Sequence, residues 1–140
     1  MKNLGLAGLL LSCIIVSCST GQSSQERISL TGTWVGDFGP ASYDRNTITL
    51  ELNWDGKSLT GMVRPGVPGA KMYRNFTSFP IQNGSFDPAT GVITFEAMFR
   101  PRERHYFIEG RLKKNVLSGA WNRPDENKDG DFKLMKKPAG

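Results

Sequence analysis

The chain has 140 residues, 38% hydrophobic and 10% aromatic, which is room for one small globular domain with short appendages. Sixteen glycines and eight prolines favour turn-rich β structure over helices. The formal charge of +5 falls to +4 (17 minus 13) if Lys2 leaves with a leader, and unless those charges cluster they exclude nucleic acid as an obvious partner.

The chain opens on Met1-Lys2-Asn3, a positively charged start, followed by an apolar run over 4–16 that is too short to span a bilayer comfortably. That run ends in Ile15-Val16-Ser17-Cys18, which resembles the lipobox of bacterial lipoproteins. The resemblance implies cleavage before Cys18, a diacylglycerol on its sulfur and usually a further acyl chain on its amine. Leu10-Leu11-Ser12-Cys13 fits the same pattern loosely, but it would leave Ile14-Ile15-Val16 stranded behind the anchor. An ordinary cleaved signal or an N-terminal membrane helix is the alternative. Both cysteines lie in this leader, so the rest of the chain has no disulfide and no thiol chemistry. Each buried methylene contributes about 0.8 kcal/mol, so two or three acyl chains would hold the protein at a membrane. Residues 19–25 are small, polar and uncharged, as a tether would be. The expected organisation is a signal peptide over 1–17, a lipid-bearing tether over 18–29 and a folded domain over 30–137. No Asp follows Cys18, which resembles the outer-membrane sorting of Gram-negative lipoproteins. The expected location is therefore the bacterial cell envelope, on the periplasmic face of the outer membrane.

From Gly32 onward, apolar and polar residues alternate between breaks at Gly, Pro, Asn and Asp. The pattern predicts eight strands, over 32–38, 47–54, 58–64, 76–86, 91–100, 105–113, 116–123 and 131–137. The second is clearest, with Ile48, Leu50, Leu52 and Trp54 against Thr47, Thr49, Glu51 and Asn53. Short turns are predicted at 55–57, 87–90 and 114–115, and longer loops at 39–46, 65–75, 101–104 and 124–130. In an up-and-down meander the two sets lie at opposite ends. Closing the ribbon on itself removes both sheet edges, so the fold class is all-β, an eight-stranded antiparallel up-and-down β-barrel. An internal echo fits this regularity: Leu50-Glu51-Leu52 and Leu59-Thr60-Gly61 match Ile108-Glu109-Gly110 and Leu117-Ser118-Gly119, all offset by 58 residues.

Gly32-Thr33-Trp34, Leu59-Thr60-Gly61 and Gly130-Asp131-Phe132-Lys133 resemble the avidin and lipocalin kind of barrel (calycin-type) over about residues 30–137. In that superfamily the early Gly-x-Trp packs across the closed end, and ligands enter at the loop-rich end. The resemblance does not extend to biotin: Val35-Gly36-Asp37 lacks the Asn and Ser that avidin-like sequences set against the ureido group. Twenty large residues are expected inside, enough to favour a filled core over a deep cavity and to place a ligand near the mouth.

The long loops gather Arg45, Arg64, Lys71, Arg74, Arg100, Arg102, Arg104, Arg123 and Lys128 against Asp44, Glu103, Asp125, Glu126, Asp129 and Asp131, a net of +3 (nine minus six). The candidate ligand set at the mouth is Tyr43, Arg64, Tyr73, Arg74, Arg100, Arg102, Arg104 and Tyr106, because guanidinium forks beside aromatic faces suit an anionic or planar group. A solvated rim that keeps the loops soluble accounts for the same charges. Asp125-Glu126-Asn127-Lys128-Asp129-Gly130-Asp131 resembles half a calcium loop, but Lys136 stands where the closing acidic ligand belongs. A charged hairpin turn is the simpler reading, and no metal or cofactor is expected. His105 is the sole histidine, and neither a nucleophile elbow nor a phosphate-binding loop occurs, so no enzyme chemistry is expected. Two functions fit: a lipid-anchored barrel that binds a small apolar, amphipathic or anionic ligand, or a solid-cored module that docks an envelope protein. Neither uses nucleic acid.

Overall fold

Side chains that alternate along an extended chain bury one face only if the sheet finds an apolar partner, and here the sheet supplies its own by closing. In a computed structural model, which describes residues 29–66 and 78–139, eight antiparallel strands form a closed barrel in chain order. They are β1 (Gly32–Ala41), β2 (Asp44–Trp54), β3 (Leu59–Pro65), β4 (Phe79–Asp87), β5 (Val92–Phe99), β6 (Arg104–Lys113), β7 (Val116–Arg123) and β8 (Lys128–Lys136). The seam is the β1–β8 ladder, with Trp34 opposite Lys136 and Phe38 opposite Phe132. The leader, Cys18 and most of the tether, together with Tyr73 and Arg74, lie outside the described residues. No described helix is long and apolar enough to cross a membrane.

Three local features depart from the pattern read in the sequence. The loop expected at 39–46 is a two-residue turn at Ser42-Tyr43, because β1 and β2 both run on to pair Ala41 with Asp44. Arg45 holds this extension: it donates to Asp37 at 2.9 Å, to Asp131 at 2.5 Å and to the Gly39 carbonyl at 3.2 Å. β4, expected as a single strand, bends at Asn83 (φ 49°), where its ladder to β5 slips between Gln82 and Ser85. β8 begins at Lys128, so the expected 124–130 loop divides into a 3-10 turn, η2 (Pro124–Glu126), and the first three residues of the strand. The 58-residue echo carries through to pairing. Leu52 faces Gly61 and Trp54 faces Leu59 on β2–β3, while Gly110 faces Gly119 and Leu112 faces Leu117 on β6–β7.

The interior contains the large residues that alternation points inward, with Ala97 between Phe95 and Phe99, and also Leu30 and Phe86. One end is sealed. Trp34 is 0% exposed, and its indole N–H donates to the Leu30 carbonyl at 2.9 Å, drawing the segment before β1 across the bottom of the barrel. Thr31 is tied to Trp54 through its hydroxyl, which accepts from the Trp54 N–H at 2.8 Å. Lys136 lies over the Trp34 ring at 5.6 Å and donates to the Ser29 carbonyl. Strands coil tightly enough to do this where an inward side chain is missing. A Cβ on Gly36 would stand 2.0 Å from the Lys133 carbonyl oxygen, and one on Gly119 would stand 2.1 Å from that of Glu109.

Candidate functional site

Toward the mouth the inward positions are mostly aromatic, with Phe38, Phe79, Phe99, Tyr106 and Trp121. Between them lies a cavity of about 70 Å3, lined by Phe38, Ile48, Leu50, Val63, Phe79, Phe95, Ala97, Phe99, Tyr106, Ile108, Trp121, Phe132 and Leu134. Among the described lining residues, Tyr106 and the Trp121 indole supply the polar groups, and the cavity opens toward the mouth. It lies half-way between the two expected extremes, because a solid core would leave no such space. The aromatic rings hold one another edge-on, Phe38 against Trp121 at 6.1 Å and Phe79 against Phe99 at 6.0 Å. Large planar side chains packed edge-on leave gaps that aliphatic ones would fill. An engineered apolar cavity of about 150 Å3 stays dry and takes benzene, so this one suits a tail of a few carbons and no ordered water.

Above the cavity, the last inward positions of β6 and β7 carry polar groups. Arg123 is 4% exposed. Its guanidinium lies over the Tyr106 ring at 5.2 Å, and its Nη1 donates to the Tyr106 hydroxyl at 3.1 Å. Its Nη2 forms an ion pair with Glu126 on η2. Glu126 also faces Arg104 at 3.4 Å and Lys128 at 3.5 Å, so one carboxylate serves three cations. Among the described residues, Arg104 Nε and Arg123 Nη2 face the Glu126 carboxylate, and the buried donors left with no partner are Trp121 Nε1 and Arg123 Nε. Both are at this end of the barrel. A buried donor without an acceptor costs about 1–3 kcal/mol, so among the described residues the mouth is short of acceptors.

The residues expected at the mouth separate into groups. All those described lie at one end, because Arg64 ends β3, Arg100 and Arg102 form the 3-10 turn η1 (Arg100–Arg102), and Arg104 and Tyr106 begin β6. Only Tyr106 lines the cavity, and Arg104 stands at its rim. Arg64 instead lies on the outer face, paired with Glu51 at 3.0 Å and donating to the Ser78 hydroxyl at 3.1 Å. Arg100 and Arg102 are exposed, and Tyr43, 92% exposed, caps the β1–β2 turn. Arg123 is the site residue that loop-counting placed among the solvated cations. The signal was present: Leu117, Gly119, Trp121 and Arg123 share one parity on β7, so an inward Trp121 implies an inward Arg123.

His105 and Glu96 meet at 2.8 Å on the outer face, with the imidazole stacked on Phe107 at 4.4 Å. That is a cross-strand pair, remote from the cavity. Among the described residues no three His, Cys, Asp or Glu side chains gather as cation ligands, and the acidic 125–131 segment is divided between η2 and β8.

The chain matches no protein-family model and no curated protein sequence. Among solved structures it is similar to a redesigned β-barrel, with 9% identity, a TM-score of 0.59, and coverage of 78% of this chain and 92% of that one. A mutant of the fluorescent protein UnaG aligns at 13% identity and a TM-score of 0.41, over 76% of this chain and 95% of that one. The first likeness is one of fold: an antiparallel β-barrel.

Proposed function

We propose that this protein is a non-catalytic, lipid-anchored binding barrel of the bacterial cell envelope that takes a small apolar or amphipathic ligand into its mouth. The observation that carries the reading is the apolar cavity beneath the aromatic rim, open at the end where the arginines gather. Burying a tail there contributes about 0.8 kcal/mol per methylene, which favours weak, exchangeable binding over permanent occupancy. Ser29 enters at the sealed end, beside Trp34 and Lys136. The eleven residues from Cys18 to Ser29 (29 minus 18) reach at most about 40 Å when extended. An anchor on Cys18 therefore leads into the sealed pole, leaving the mouth as the pole away from the tether.

The test is titration of the purified protein with 1-hexanol, followed by the fluorescence of Trp121, which lines the cavity, and by chemical shifts of the lining methyl groups. Saturable changes confined to the lining of the mouth half are expected. A linear, unsaturable response spread over the surface would favour the solid-cored docking module, whose partner would then have to be captured by crosslinking in the envelope.

A further inference from the structure

The cavity is apolar to its rim, yet the groups that close it are hydrogen-bond donors in excess. Arg123 and Trp121, consecutive inward residues of β7, each bury an N–H with no acceptor. The Tyr106 hydroxyl already accepts from Arg123, so its own proton is left to donate. Among the described residues, the carboxylate paired with Arg123 is that of Glu126, which also faces Arg104 and Lys128. A planar guanidinium held against an aromatic ring, with donors unmet, is built for a forked oxygen acceptor. The group already paired with its edge is a carboxylate, that of Glu126.

We infer that Arg123, with Tyr106, is the anchor for the carboxylate head of a single-tailed amphiphile, and that Glu126 is a built-in competitor that occupies part of that anchor while the cavity is empty. This rests on the cavity reading above and adds the ligand's head group and its gate. The ligand's tail lies among the mouth phenylalanines, and its two oxygens take the donors that Glu126 leaves unmet or gives up. Glu126 sits on a three-residue 3-10 turn between β7 and β8, with Asn127 after it in the left-handed region at φ 49°. Releasing it therefore moves a turn and breaks no ladder. Glu126 keeps Arg104 and Lys128 as partners when Arg123 is taken, so exchange leaves no charge bare.

The experiment compares hexanoate with 1-hexanol, equal tails with and without the charge, by calorimetric titration at neutral pH on the wild-type protein and on Glu126→Gln, Arg123→Gln and Tyr106→Phe. Hexanoate should bind the wild type about tenfold tighter than 1-hexanol, the ratio expected for a charge-assisted contact in a shielded site. Glu126→Gln should tighten hexanoate several-fold and leave 1-hexanol unchanged. Arg123→Gln should remove the preference for hexanoate while keeping 1-hexanol, and Tyr106→Phe should reduce it. If Arg123→Gln does not fold, the Glu126 and Tyr106 variants decide alone. Equal affinity for both probes in the wild type, or hexanoate binding indifferent to Glu126→Gln, overturns the anchor and leaves the cavity reading standing. Failure of both probes to bind overturns both.

Discussion

Ala97→Val should make the barrel more stable and less able to bind. Ala97 is 3% exposed on β5, lines the cavity, and faces Tyr106 on β6 and Ile81 on β4. Residual cavity volume destabilises a core by about 24 cal/mol per Å3, so the space of about 70 Å3 corresponds to about 1.7 kcal/mol. Two added methyl carbons buried at about 0.8 kcal/mol each recover about 1.6 kcal/mol. The two figures agree, and a β-branched residue suits an inward strand position. The expected gain is about 1.5 kcal/mol, a shift in melting temperature of roughly 6–12 °C for a domain of this size. Urea unfolding should move its midpoint at unchanged slope, since a side chain inside the barrel leaves the exposed surface of the unfolded chain nearly as it was. Binding of 1-hexanol should fall to background in the same variant. A loss of more than about 1 kcal/mol would mean overpacking, and hence that the space between the phenylalanines is not available to carbon. A stabilised variant that still binds 1-hexanol would place the ligand elsewhere.

Three further outcomes follow from other parts of the chain. Gly36→Ala should cost roughly 3 kcal/mol in denaturant unfolding, because its Cβ would meet the Lys133 carbonyl oxygen at 2.0 Å and force the β1–β8 seam apart; a neutral result would show the seam to be looser than this. Asp87 is held below the usual carboxylate range by the Thr90 hydroxyl and the Ala89 N–H, and Asp55 by the Ser58 and Lys57 N–H groups. The folded form is thus the stronger acid, so the stability these turns add is present above the ordinary value of 3.8 and is lost as pH falls through the lower folded value. Removing both with Asp55→Ala and Asp87→Ala should flatten the acid limb of a melting-temperature–pH curve, and an unchanged limb would assign acid sensitivity to other carboxylates. Cys18→Ser should abolish incorporation of labelled palmitate in a bacterial host and move the protein from the membrane to the soluble fraction. Persistent label, or label lost only in Cys13→Ser, would relocate the anchor.

The barrel was legible because its determinants are local and periodic. Ile48, Leu50, Leu52 and Trp54 alternate without interruption, and the short turns at Asp55 and Lys114 force antiparallel return, so strand number and the sorting of loops to two ends follow from the chain alone. Where the signal was chemical rather than periodic, it misled. The polar 39–46 segment reads as loop, but Arg45 bonds to Asp37 and Asp131, and the contact to Asp131 joins residues 86 apart in sequence. Such a contact has no local trace.

The site divides the same way. Parity along β7 is a property of any strand, and it already placed Arg123 on the side of Trp121; counting charges by loop obscured it. Composition and alternation thus determined the closed ribbon and its sealed and open poles. The tertiary structure alone decided that the core is not full, since a void is the difference between enclosed volume and side-chain volume and depends on how edge-on rings from β1, β4, β5 and β7 meet across the barrel. It alone also brought Glu126 to Arg123 and Arg104, because ion pairing depends on distances set by barrel closure and not by spacing in the chain.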